Sequence, residues 1–142
     1  MALREIHNII NTDVALNVQT ITDDTTTNGN EIDLQGFGAV EFVIFTGTLT
    51  VGDFTPLIQE TDTSTSYSGS VADADLTNTE ASAAFTTDTD DNKITRIGYI
   101  GSKRYVRLSI VSTGTATNGA VIGAIAIKAL PSYAPTAADT AA

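Results

Sequence analysis

The stretch KITRIGYIGSKRYVRLSIV, residues 93–111, decides the fold class. From Arg104 onward Val106, Leu108 and Ile110 fall on one side and Tyr105, Arg107 and Ser109 on the other, the two-residue period of a half-buried strand. The preceding run, Ile94 to Ile100, is also rich in β-branched and aromatic residues. Gly101-Ser102 separates the runs as a two-residue loop with glycine first, so the pattern predicts a type II′ hairpin in which glycine supplies the positive φ. Five of the seven Lys and Arg residues, Lys93, Arg96, Lys103, Arg104 and Arg107, lie in or beside this hairpin.

That concentration stands against an acidic background. Residues 1–91 hold one basic and sixteen acidic side chains, and residues 92–142 hold six basic and one acidic, for a net charge of −10. With a pI near 4.1 the whole-molecule field repels polyanions, which argues against a direct nucleic-acid partner. The basic stretch is expected to pair with the acidic half of the chain or with an acidic neighbour.

A chain of 142 residues suits one domain, large enough to bury roughly two-thirds of its unfolded surface. The absence of cysteine excludes disulfides, a thiolate zinc site and a cysteine nucleophile. The opening residues lack the basic start and sustained apolar core of a signal peptide. The longest apolar run, Ala120 to Ile127, is far too short for a membrane-spanning helix. These features predict a protein made in the cytoplasm, with no membrane partner.

The pattern divides the chain into an N-terminal segment or arm (1–22), a β domain (23–131) and a flexible C-terminal tail (132–142). Ile6 to Ile10 and Val14 to Ile21 alternate weakly and read as strands or as an arm. Asp23 to Asn30 (DDTTTNGN) reads as a turn with Asn28-Gly29 at its tip. Ala39 to Thr46, almost continuously apolar and bounded by glycines, reads as the central strand. Within it Glu41 is expected to face outward, because no second carboxylate or histidine stands at a defined spacing to tune it. Pro56 opens a strand over Leu57 to Asp62, and residues 61–92 read mostly as long surface loops, functional or mobile. Thr113 to Gly119 reads as a turn, and Ala120 to Leu130 as a final strand stopped by Pro131, with a short buried helix as the alternative.

Motifs for chemistry are nearly absent. His7 is the sole histidine and no G-x-S-x-G accompanies it, so no Ser-His-Asp arrangement is indicated. Gly98-Tyr99-Ile100-Gly101 lacks phosphate-loop spacing and joins strands. Asp88, Asp90 and Asn92 match the first three ligand positions of an EF-hand loop, but Lys93 replaces its glycine and Tyr99 its bidentate glutamate. A solvated acidic loop is the favoured reading, over a looser calcium site shared with Asp73 or Asp75. No catalytic residue, metal site or cofactor is expected.

Three stretches taken together, DFTPLIQE (53–60), VADADL (71–76) and IGYIGSKRYVRL (97–108), resemble a family of small structural proteins encoded among the head genes of tailed bacteriophages, usually treated as capsid decoration or cement proteins. The match covers about residues 53–108. Ala129-Leu130-Pro131-Ser132 departs from it, lacking the basic His-Pro-Arg type ending that members often carry. The resemblance implies a virion component without catalysis, and the expected location is the capsid surface. Its implied partners are the major capsid protein and further copies of itself, as a homo-oligomer such as a trimer.

Low aromatic content, no tryptophan and abundant Ser and Thr fit that expectation. The rival is a tail-associated or carbohydrate- or receptor-binding β module, for which the aromatic candidates in expected loops are Phe54, Tyr67, Phe85 and Tyr133. The expected fold is all-β, a sandwich or barrel of about eight strands with long loops. Two groups are the candidate contacts to capsid or subunit: Ile6, Ile9 and Ile10 near the N-terminus, and Lys103, Arg104, Tyr105 and Arg107, with Lys103, Tyr105 and Arg107 on one outer face.

Overall fold

The computed structural model describes residues 5–86, 89–115, 119–134 and 136. Among them are seven strands: β1 (Ile10–Ile21), β2 (Thr26–Asp33), β3 (Phe37–Leu49), β4 (Asp53–Thr61), β5 (Ile94–Tyr99), β6 (Tyr105–Thr113) and β7 (Ala120–Pro131). Two short 3-10 turns, His7–Ile9 and Asp73–Asp75, complete the regular structure. The strands form two antiparallel sheets, one in the order β1-β7-β3-β5 and one in the order β2-β6-β4, packed face to face as an open sandwich. Alternation along the strands explains the packing. Val40, Phe42 and Ile44 of β3 and Ile122, Ala124 and Ala126 of β7 turn inward from one sheet, meeting Val106, Leu108 and Ile110 of β6 from the other. Fully burying each large member of this set stabilises the fold by about 1.5–3 kcal/mol.

The connection at Gly101-Ser102 is not a hairpin. β5 pairs with β3 in one sheet and β6 pairs with β2 and β4 in the other, so the chain crosses between sheets here. Gly101 has no positive φ; its role is space, since a Cβ would meet the Tyr99 ring at 2.5 Å. Asn28-Gly29 is likewise not a turn tip but lies within β2. A Cβ on Gly29 would sit 2.1 Å from the Leu108 carbonyl oxygen and 2.3 Å from that of Ala15, so glycine lets β2 press between β6 and β1. The register of β2 on β6 shifts between Asn28 and Glu31, and that of β1 on β7 between Val14 and Leu16. The Asn30 amide then bridges the two edges, donating to the Val14 carbonyl at 2.9 Å and to Asn17 Oδ1 at 3.2 Å.

The long segment between β4 and β5 closes the opposite side of the sandwich. It lacks regular strands, as expected, but contributes Val71, Leu76, Ala83 and Phe85 to the core. Phe54 and Phe85 exchange backbone hydrogen bonds of 2.8 and 2.9 Å, and Val71 N donates to the Ile58 carbonyl. Thr77 N donates to Gly98 on β5, and Ile100 N, just past its end, donates to Asp75. The edges of β4 and β5 are thereby covered instead of left open to other chains. Pro56 suits this edge, because the Phe54 and Ile58 N–H groups on either side of it find partners and proline has none to place. Two aromatic candidates are corrected by this arrangement: Phe54 and Phe85 are core residues, buried by the segment expected to expose them.

Candidate interaction surface at one end of the sandwich

The basic residues of the crossover are held by acids from the first half of the chain. Lys103 Nζ lies 2.6 Å from Asp62 Oδ2, and Arg104 grips both Asp33 oxygens through Nε at 2.9 Å and an Nη at 2.8 Å. Arg104 hydrogen bonding holds Asp33 below the usual carboxylate range, and Lys103 does the same for Asp62. The two bases are raised in return, chiefly by those same hydrogen bonds. Arg104 also lies 4.8 Å from the Tyr105 ring centroid, a cation–π contact.

Arg107 meets a neutral set instead. It donates to Gln59 Oε1 at 2.6 and 3.2 Å and stacks 4.3 Å from the Tyr67 centroid. The Tyr67 hydroxyl donates to Glu31, which also accepts from the Ser64 hydroxyl and the Thr65 N–H. Those bonds, Ser64 first, hold Glu31 low, while burial foremost and Glu31 next push the Tyr67 hydroxyl up. Glu31 thus pins the start of the long segment onto the outer face of the three-stranded sheet. Tyr105 and Arg107 share that face; Lys103 sits apart from them in the crossover, turned to Asp62.

The N-terminal candidates lie at the same end of the molecule. Ile10 pairs with Ala129, Ala129 with Ala39, and the neighbouring Val40 with Tyr99, so the start of β1 and the crossover occupy one end of the four-stranded sheet. Ile9 and Ile10 are half-buried, whereas Ile6 is 63 % exposed and outside the core. Thr136 returns beside them, its N–H donating to the Asn8 carbonyl and its hydroxyl to that of Ile10. Three further exposed apolar residues share this end: Ile100, Leu130 and Tyr133, the last 88 % exposed. Leu130 adopts a left-handed φ of +53°, which breaks the alternation of β7 and throws its side chain outward over Gly38.

Between these elements lies a hollow of about 450 Å³ whose lining includes Leu34, Phe37, Val40 and Ile100, with Asp62, Lys103 and Arg104 also bordering it. Beside it Lys128, almost wholly buried, pairs with Asp13 at 2.7 Å and lies 4.8 Å from the Phe37 ring centroid. The end as a whole is an apolar surface edged by internally matched charges.

Of the acidic-loop residues, Asp88 lies outside the described residues. The Asp90 carboxylate accepts from Thr86 N and that of Asp91 from Leu49 N, so these side chains cap backbone. Among the described residues no group of three or more His, Asp or Glu side chains is placed to hold a metal ion, and no helix is long and apolar enough to cross a membrane. The expected turn at 113–119 and tail at 132–142 fall partly outside the described residues. No protein-family model matches this chain, and no curated protein sequence matches it.

Proposed function

We propose that this chain is a non-enzymatic structural protein of a tailed-phage particle, seated on the head as a decoration or cement protein. One observation carries the reading: Ile6, Ile100, Leu130 and Tyr133 stand exposed at a single end of a rigid sandwich, edged by the Lys103–Asp62 and Arg104–Asp33 pairs. A cluster of exposed apolar side chains rimmed by polar groups is the form of a protein-binding surface. The three stretches that resemble the phage family also meet in one structural unit. Val71 bonds to Ile58, Leu76 bridges to Tyr99, and the Tyr99 hydroxyl donates to Glu60. In this reading the end docks on the shell after assembly, and its binding free energy stabilises the shell by mass action, as any ligand of a native state does.

The test is made on purified particles. Mass spectrometry should find the chain in heads, and particles lacking it should release DNA at lower temperature than complete ones. Ile6→Asp combined with Leu130→Asp should abolish uptake by stripped heads while leaving the thermal midpoint of the free protein unchanged. Equal heat resistance with and without the chain would overturn the cement role and favour a tail-associated or receptor-binding module.

A further inference from the structure

The outer face of the β1-β7-β3-β5 sheet is apolar through its middle, with Thr12 and Thr20 on the β1 side and Glu41 and Arg96 toward β5. The strand register sets Val14, Ile125, Val43 and Arg96 in one row across all four strands. In a neighbouring row Phe45 pairs with Gly123 on one side and Ile94 on the other. A Cβ on Gly123 would lie 2.6 Å from Val18 Cγ2 and 2.9 Å from Phe45 Cζ, so these two side chains close over the glycine. The middle of the face is thereby filled, and a hollow opens toward the β5 edge, where Thr77, Asn78 and Ser82 border Glu41 and Arg96. Val14, Val18 and Ile94 remain 53, 61 and 67 % exposed on it.

We propose that this face pairs with the same face of a second copy about a two-fold axis. Charge selects that occupant. The molecule carries −10, so two copies approaching through most of their surface bring like charges together. The strand positions facing outward on this sheet hold one acid and one base, Glu41 and Arg96, 3.9 Å apart, with no net charge. A patch bearing both signs is self-complementary: a two-fold axis sets Arg96 of each copy toward Glu41 of the other. An acidic or basic foreign partner would find no matching field here.

Area is also sufficient. Four strands spaced about 4.8 Å apart, over about seven residues each, present about 20 by 25 Å. Two such faces bury about 1,000 Å² together, at the lower limit for a specific interface, so a reversible dimer is expected. The spacing between the stacked faces would be about 10 Å, as between the two sheets of the sandwich itself. This pairing does not depend on the virion reading, and free protein tests it without heads.

Sedimentation equilibrium of the full chain should show a monomer–dimer equilibrium at concentrations up to about 200 μM. Association should tighten with added salt, because salt screens the net repulsion and leaves the apolar contact intact. Val14→Glu with Val18→Glu, both at exposed edge positions, should weaken it at least about tenfold with an unchanged thermal midpoint. Ile94→Lys, on the opposite edge of the face, should act the same way. A monomer throughout the range, or a dimer indifferent to both variants, would overturn the proposal. So would a free monomer whose binding to heads is lost in these variants, since the face would then belong to the shell.

Discussion

Tyr99 and Glu60 tie the two sheets together at one end of the sandwich. The hydroxyl of Tyr99, on the last residue of β5, donates to the Glu60 carboxylate on β4 and accepts the Lys103 backbone N–H at 2.8 Å. Burial foremost, with the Glu60 hydrogen bond next, pushes this hydroxyl up, so it remains a donor throughout the ordinary pH range. One phenol thus joins the two ends of the crossover, beside the Lys103–Asp62 and Arg104–Asp33 pairs.

Removing that oxygen tests the arrangement. Tyr99→Phe keeps the buried ring but leaves the Glu60 carboxylate and the Lys103 N–H without this partner. The cost should be about 1–2 kcal/mol, and the thermal midpoint should fall by about 3–8 °C. Calorimetry within about 1 °C of the parent would show that water replaces the hydroxyl at no cost.

Phe85 tests whether the segment between β4 and β5 belongs to the fold. Its ring is 1 % exposed and its backbone is paired to Phe54. Phe85→Ala should destabilise by about 3–5 kcal/mol and make the segment the first site of proteolysis. Cleavage there at the parent's rate would mean that the segment is already loose.

Acid should weaken the protein in a definite window. Asp33, Glu31, Asp62 and Asp24 are all held low, the last chiefly by the Thr115 backbone N–H. A lowered folded pKa gives stability that is complete above the unfolded value, near pH 4, and is lost as pH falls further. Glu80 has the opposite sign: burial raises it, although the Ile58 N–H donates to it at 2.6 Å. Its ionised form is therefore disfavoured by folding above about pH 4.5. Glu80→Gln keeps an acceptor for Ile58 without the charge, so it should raise the midpoint at pH 7 by about 1–3 °C, with the gain vanishing below about pH 4. A gain of equal size at pH 3 and pH 7 would contradict this account of Glu80.

Arg104→Glu places a carboxylate against Asp33. Both partners are more than two-fifths exposed, so the pair itself is worth only about 0.5–1 kcal/mol, and reversal should cost somewhat more. The midpoint should drop at low salt and recover partly near about 0.5 M salt. A drop that ignores salt would indicate lost packing on Tyr105 instead of lost charge.

The parts of this fold legible in the sequence are those where one strand carries its own signal. β6 has a dry face written as alternation, β3 and β7 are apolar runs bounded by glycine or proline, and each is a strand where expected. A hairpin and a sheet-to-sheet crossover, by contrast, share the same local pattern around Gly101; they differ in which distant strand each arm joins. Asn28-Gly29 carries a turn signal, but the glycine is required by backbones at Ala15 and Leu108. Phe85 stands alone in a polar stretch and has no period to read. The charge asymmetry was visible, and its resolution into pairs was an expected alternative, yet Asp33 and Asp62 lie 71 and 41 residues from their bases. The exposure of Leu130 depends on a backbone angle, which no side-chain pattern announces.

The position of β7 has a consequence for the order of assembly during synthesis. It bonds to both β1 and β3, yet it is translated after every other strand described. While the chain emerges from the ribosome, those two strands wait for a neighbour from more than 70 residues downstream. The strands of the three-stranded sheet are complete by Thr113 and can zip together first. A nascent chain arrested before Ala120 should therefore be digested readily, and protease resistance should appear only when β7 clears the exit tunnel and slides between its two waiting partners.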